Sequence, residues 1–351
     1  MTGDKRVAER SDPRRVTLQV IAERLEVSTA TVSLALRDSP VVAEATREKV
    51  QSLARDLGYV YNRSAASLRT ARTNMIAVGF HDITNPFFAE LLVAIEESIY
   101  ASGRTVLLAT YGENLVRQDK VLRTLREYRP DGMILCAAGG TSQPDMRLLM
   151  GAGIAIVQLV REMVTDVDFV GIDDRAAARE ATEHLIDLGH RRIASIAGLE
   201  GIPTARARRA GWRDALEARG IPVDPALIHE GLTTREVGYE AIRHLLTLPD
   251  PPTAAVCFND LAAFGTMLGL RQHGLEPGRD FSVIGCDDIR EAALWSPALT
   301  TINNRQEQLG AEAARVLEER IANPGAPVQR VLLRPRFVVR GTTAPPRVRP
   351  A

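Results

Sequence analysis

The chain has 351 residues, too many for one ordinary domain and enough to bury a sizeable core. With 45% hydrophobic and 25% charged residues it has an ordinary globular composition, which excludes a disordered or fibrous protein. Lys plus Arg number 44 and Asp plus Glu number 44, so no net field advertises a polyanionic partner, and Cys136, Cys257 and Cys286 are too scattered for a disulfide framework.

Residues 1–16 are charged and lack the apolar stretch of a secretory signal. No apolar run approaches the roughly 18 residues a spanning helix needs. The expectation is a flexible N-terminal extension on a cytoplasmic, nucleoid-associated protein with no membrane contact. The neutral total hides an asymmetry: residues 1–72 hold thirteen Lys/Arg against nine acids, and the remainder carries the opposite excess. A basic end on a neutral chain is how a tethered nucleic-acid module looks.

From residue 17 to 58 the apolar spacing is helical, in three short pieces. Leu18, Ile21, Ala22 and Leu25 make one buried face, and Thr17 is placed to cap it. After the short turn Glu26-Val27-Ser28, Ser28 can cap a second helix over 29–36 with Val32 and Leu36 inward. A third helix over 44–57 buries Val50, Leu53, Ala54 and Leu57, and Gly58 supplies the left-handed stop. Two helices joined by a three-residue turn and closed by a third predict a helix-turn-helix over 17–62. Ser28, Thr29, Ala30, Thr31 and Ser33 fall off the core face of the second helix. Small hydroxyl residues there let the backbone approach a groove and reach phosphates and base edges.

These residues carry a resemblance. T-L-x-x-I-A from Thr17, V-S-x-x-T-V-S from Val27, T-R-E-K-V from Thr46, L-G-Y from Leu57 and N-R-S-A-A-S-L from Asn62 look like the head of the LacI/GalR family of bacterial transcriptional regulators. The resemblance implies a DNA-binding set of Thr17, Leu18, Ser28, Thr29, Ala30, Thr31, Ser33, Arg37 and Thr46. Thr29 and Ala30 sit at the positions that decide operator sequence; Ser28, Thr31, Ser33 and Thr46 position phosphates. Leu34 stands where the family usually has Arg or His, Arg37 where Asn is common, Tyr61 where Pro is usual and Ala43 where a capping Ser is usual.

Residues 63–73 are rich in Ala and Ser, with Leu68 the one large apolar side chain of the segment. So little to bury makes a marginal helix on its own. By resemblance this is a hinge helix that pairs on DNA, with Leu68 wedging into the minor groove, Ala65 permitting close helix approach and Asn62 a polar contact just upstream.

From residue 74 to 341 short apolar runs alternate with amphipathic stretches. Strands are predicted over 76–80, 106–110, 132–136, 154–158, 169–172, 193–197, 254–258 and 283–286, with helices between them. Strands apolar throughout and separated by helices imply buried parallel sheets. The length implies two α/β lobes. Motifs N-P-F-F from Asn85, H-L-x-x-L-G-H-R-R-I-A from His184, A-R-x-R-x-A-G-W from Ala205 and T-A-A-V-C-F-N-D from Thr253 extend the resemblance. It implies a two-lobed, periplasmic-binding-protein-like core with three crossovers near Arg161, Arg290 and Ala322. The N-lobe is then about 74–161 with 291–322, the C-lobe about 162–290 with 323–341, and 342–351 a frayed tail. The implied effector set is Asn85, Phe87, Phe88, Arg161, Thr204, Arg208, Asn259 and Asp287, suited to a carbohydrate. Arg208 and Asn259 would donate, Asp287 would accept from hydroxyls and Phe would give an apolar floor. Trp212 reads as core. Val160 replaces the family's usual acid before Arg161, and Cys286 an aromatic.

No phosphate-binding glycine motif, nucleophile elbow or metal-ligand spacing appears, so neither enzyme nor cofactor nor metal is expected. The acid pairs Asp173-Asp174 and Asp287-Asp288 read as helix caps or hydroxyl acceptors. The expected protein is a homodimer on a pseudo-palindromic double-stranded DNA operator, gated by a small molecule. A solute-binding receptor and an α/β enzyme acting on sugars or nucleotides are the rivals.

Overall fold

The computed structural model describes residues 16–59, 73–151 and 153–347. The chain divides into two compact units, Met1–Thr73 and Asn74–Ala351. In the first, α1 (Leu18–Arg24), α2 (Thr29–Ala35) and α3 (Glu44–Asp56) enclose a small core of Ile21, Ala22, Val32, Ala35, Val42, Val50 and Ala54. Thr17 Oγ1 accepts from the Val20 amide at 3.4 Å and Ser28 Oγ from the Thr31 amide at 3.0 Å, so two of the three helix starts are capped by hydroxyls. The third starts at Ala43 without a side-chain cap.

The second unit holds two sheets. Strands β1 (Met75–Phe80), β2 (Thr105–Thr110), β3 (Gly132–Leu135), β4 (Ala155–Leu159) and β5 (Asp168–Ile172) pair in parallel, and β11 (Arg330–Leu333) adds beside β5, in the order β11-β5-β4-β3-β1-β2. Around this sheet run α4 (Pro86–Ala101), α5 (Leu115–Glu127), α6 (Gln143–Met150) and, from late in the chain, α12 (Gln306–Ala322). The second sheet is β7 (Ile228–His229), β6 (Ile193–Ile196), β8 (Ala254–Cys257) and β9 (Ser282–Ile284), all parallel in the order β7-β6-β8-β9. Its helices are α7 (Asp174–Asp187), α8 (Pro203–Ala218), α9 (Arg235–Leu245), α10 (Asp260–Gln272) and the short α11 (Arg290–Leu294). The antiparallel pair β10 (Thr301–Asn303) and β12 (Arg336–Val338) packs on α7 and continues alongside β9 through bridges at Ile284–Thr300 and Asp287–Asn303.

Fully buried apolar runs form the interior strands, as expected of parallel sheets with helices on both faces. Helix packing is tight where glycine removes the side chain. A Cβ on Gly265 of α10 would lie 1.8 Å from the Arg235 carbonyl of α9, and one on Gly211 of α8 2.1 Å from the Arg175 carbonyl of α7. Asp168 and Arg320 clamp α12 to β5 through a two-pronged ion pair of 2.7 and 2.8 Å.

The lobe boundaries differ from the sequence expectation. The chain does not leave the first lobe at Arg161. It reverses at Val160 (φ 67°) and re-enters the same sheet as β5, because Val157–Leu159 pair with Asp168–Val170. The first passage to the second lobe follows Ile172. The second lies near Asn304 rather than Arg290, since α11 and β10 belong to the second lobe. The third lies between Leu333 and Arg336 rather than at Ala322, since β11 pairs with β5. Nor does a frayed tail begin at residue 342. Thr342 is fully buried, its hydroxyl accepting from the Thr300 amide and donating to the Val283 carbonyl, while the Ala344 amide donates to Ser282 and Arg347 pairs with Asp280.

Candidate functional site

In the head, Thr29 and Ala30 open α2 and are exposed, just after the Ser28 cap. Ser28 and Thr31 share a hydroxyl hydrogen bond of 2.8 Å, so the two expected phosphate ligands form one unit. Arg37 is exposed and donates from Nε to the Ser33 carbonyl at 3.1 Å, fixing its base at the end of α2. Thr17 is exposed, and Leu18 and Thr46 are half-buried. Ser33 departs from expectation. It is 3% exposed, because α2 is held between α1 and α3 and buries a stripe wide enough to include the position beside Val32. Its hydroxyl therefore does not belong with the outward set. Asn62, Ala65 and Leu68 lie outside the described residues.

In the core, the candidate site forms where strands end and helices begin, at the C-terminal ends of both parallel sheets, where open α/β sheets take ligands. Asn85 caps α4 by accepting from the Phe87 amide at 3.1 Å, and its Nδ2 donates to Asp287 Oδ2 of the other lobe at 3.4 Å. Asp287 Oδ1 accepts from Asn304 at 3.0 Å, and its carbonyl accepts from Gln306 at 2.6 Å. The Asp287 backbone has φ 128°, a region L-residues rarely occupy, so these contacts hold a strained turn. Burial, reinforced by the Asp260 carboxyl, pushes the Asp287 carboxyl well above the usual carboxylate range.

On the first lobe, Arg161 is 2% exposed and donates to the Ala137 carbonyl at 3.1 Å, to Glu113 Oε1 at 2.7 Å and to His81 Nε2 at 3.1 Å. Burial, then the Arg161 charge, hold His81 well below the ordinary imidazole value, so the ring stays neutral and Nε2 can accept. Tyr111 closes this end, its hydroxyl donating toward the Gly79 and Cys136 carbonyls. On the second lobe, Arg208 donates from Nε to Asp174 Oδ1 at 2.7 Å and from Nη1 to the Phe258 carbonyl, with its guanidinium 4.5 Å above the Phe258 ring. Burial raises the Asp174 carboxyl, and both Arg208 and Arg161 oppose that rise, so the two arginines share one electrostatic neighbourhood.

The fold thus brings Asn85, Arg161, Arg208 and Asp287 together. Asn259 sits beside them but is largely spent, its Oδ1 capping α10 at the Ala262 amide and its Nδ2 donating to the Thr233 carbonyl. Thr204 is buried in the first turn of α8. Phe87 and Phe88 do not supply an open apolar floor. They are 3% and 5% exposed within the first-lobe core, Phe88 meeting Phe87 and His81 edge-on and lying tilted against Phe80. Trp212 is core, donating to the Ile193 carbonyl. Asp173 caps α7, whereas Asp288 holds Arg340 and Asn303 instead of a helix start. Sequence reasoning missed His81, Glu113 and Asn304, and it read Asp174 as a helix cap or hydroxyl acceptor without its Arg208 partner. The signal for His81 was its place directly after β1; nothing local marks the others. Among the described residues no group of three or more His, Cys, Asp or Glu could hold a metal, and no helix is long and apolar enough to cross a membrane.

The comparisons bear on both units. Residues 17–62 match the family model described as bacterial regulatory proteins, lacI family, and residues 73–341 match periplasmic binding proteins and sugar binding domain of LacI family. The HTH-type transcriptional repressor PurR of Haemophilus influenzae (strain PittEE) is 32% identical over 329 residues, covering 92% of this chain and 97% of that protein. Among solved structures, the lac repressor dimer bound to operator and the anti-inducer ONPF is 28% identical with a TM-score of 0.83, covering 94% of this chain and 99% of that one. The transcriptional regulator CelR–cellobiose complex is 31% identical with a TM-score of 0.72, covering 93% and 100%.

Proposed function

The chain belongs to the LacI family of bacterial regulatory proteins, and from that premise we infer that it is a sequence-specific DNA-binding repressor gated by a small molecule held between the lobes of its core. It works as a homodimer on a pseudo-palindromic operator in the cytoplasm, since two-fold symmetry calls for matched half-sites. Thr29 and Ala30 read bases; Ser28, Thr31 and Thr46 set the phosphate register; Arg37 adds a charge at the end of α2. Leu68, with Ala65 and Asn62, forms the hinge wedge. The likeness to proteins described as repressors, rather than enzymes, over nearly the whole chain supports this reading.

The observation that carries the gating is the Asn85–Asp287 hydrogen bond, a direct link between the lobes at the ends of both sheets. A ligand that engages Asp287, Arg208 or Arg161 competes for or reinforces that link, and so favours one lobe arrangement over another. Only such a difference in affinity between arrangements can shift DNA binding. The ligand is a carbohydrate: the guanidiniums donate to hydroxyl oxygens and Asp287 accepts from hydroxyls.

Fluorescence anisotropy with a labelled palindrome tests this. The full chain should bind it with an affinity that falls steeply with salt, as phosphate contacts require, and the Leu68→Ala protein should bind more weakly and bend the duplex less. Equal binding to palindrome and scrambled duplex at every salt would exclude the reading.

A further inference from the structure

The charges of the interlobe site are already matched within the protein, and this bears on what the effector can be, given the gated-switch reading above. Arg161 is paired with Glu113 at 2.7 Å and Arg208 with Asp174 at 2.7 Å. The guanidiniums are 3% and 12% exposed and the Asp174 carboxyl 8%, so these pairs are poorly screened. Asp287 adds a further carboxyl whose side-chain partners are the amides of Asn85 and Asn304. His81 contributes no charge because its Nε2 accepts from Arg161.

We propose that the effector is an uncharged polyhydroxyl molecule, and that the Glu113–Arg161 and Asp174–Arg208 pairs act as a filter against phosphorylated and carboxylated metabolites of similar size. An anionic group entering here would have to displace a carboxylate from a buried guanidinium or lie beside Glu113, Asp174 and Asp287, and either is costly where water is scarce. Two guanidiniums, Arg161 and Arg208, thus stand among three carboxyl groups, Glu113, Asp174 and Asp287. Hydroxyl groups meet no such barrier. A guanidinium has five N–H donors, and the protein contacts use three on Arg161 and two on Arg208, leaving directed donors with no uncompensated charge. The filter is distinct from the contacts that would hold a sugar: Glu113 and Asp174 act on the ligand's charge through the arginines they neutralise.

The test uses the full-length protein and inorganic phosphate as probe, by thermal denaturation in phosphate against chloride of equal ionic strength. The wild type should show no saturable stabilisation by phosphate. Glu113→Gln, mild because that side chain is 27% exposed, and Asp174→Asn, nearly isosteric, should each free an arginine and bind phosphate at least roughly ten-fold tighter than wild type. The gain should vanish when Arg161→Gln is added to Glu113→Gln. Saturable phosphate binding by the wild type, or no gain in both variants, overturns the proposal. A second arm titrates ribose against its phosphate, and adenosine against its monophosphate, while following operator affinity. A phosphorylated member that moves wild-type operator affinity as strongly as its neutral partner overturns the filter but leaves the switch standing. Absence of operator binding in any condition sinks the switch and leaves the phosphate result to be judged by itself.

Discussion

The head and the core present their functional residues in opposite ways. In the head, Thr29, Ala30 and Arg37 stand on the outside of a three-helix core, and the small apolar set beneath them does nothing but hold α2 in place. In the core, Asn85, Arg161 and Asp287 are almost wholly buried, Arg208 is partly buried, and all four are already hydrogen-bonded within the site. A surface that meets DNA is complete before its partner arrives, whereas a buried polar site is a network whose members trade partners when a ligand comes. Substitutions of the exposed Thr29 and Ala30 should therefore act on DNA binding alone; substitutions in the core should act on several interactions at once.

The largest effects separate the two cores. Trp212→Ala should lower the stability of the second unit by about 4 kcal/mol, and Ile21→Ala that of the head by about 3 kcal/mol, each leaving the other unit's calorimetric transition in place. If Ile21→Ala moved the core transition as well, the units would not be independent. Next, Thr29→Ala should cost about 1–3 kcal/mol of operator binding, read by anisotropy, with effector binding unchanged. Ser28→Ala should cost about 1 kcal/mol of head stability through the lost cap, plus the Thr31 contact, seen as a shift of the head's melting midpoint.

The smallest is a slope. Asp260 is fully buried at the start of α10, and burial, with Asp288 adding to it, raises its carboxyl against the hydrogen bonds from Thr301 and the Ile289 amide. A carboxyl raised on folding keeps its proton longer in the folded state. Its stabilising contribution is complete below the unfolded value near 3.8 and is lost as pH rises towards about 7. Wild-type core stability should therefore decline with pH over that window relative to Asp260→Asn, measured as the difference between their melting curves. Parallel curves would show that Asp260 titrates alike in both states.

Much of the fold was legible because interior parallel strands announce themselves as unbroken apolar runs, as in Ile76–Phe80 and Gly132–Leu135. Helix starts such as Ser28 and Thr17 carry their caps in the sequence. Which sheet a strand joins is a long-range fact. Nothing local tells which lobe Phe169–Ile172 or Arg330–Leu333 joins until their pairing is seen, and that moved the first and third crossovers, while the bridges of β10 to β12 and β9 moved the second. The site divides in the same way. Asn85, Arg161, Arg208 and Asp287 follow strand ends or match motifs, but the carboxylates that neutralise the arginines come from distant parts of the chain, Glu113 from the loop after β2 and Asp174 from the start of α7. Glu113 lies 48 positions before Arg161 in the chain, and Asp174 lies 34 before Arg208. Phe87 and Phe88 misled because an aromatic after a strand serves a core as readily as a pocket.

The coupling between the two units is tested most directly by measuring one affinity in the presence of the other partner. Calorimetric titration of the full chain with the sugar or nucleoside that shifts its melting temperature should give an affinity that changes when saturating operator is present. The change should be by the same factor by which that ligand changes operator affinity, since linkage is reciprocal. An effector affinity identical with and without operator would contradict the account.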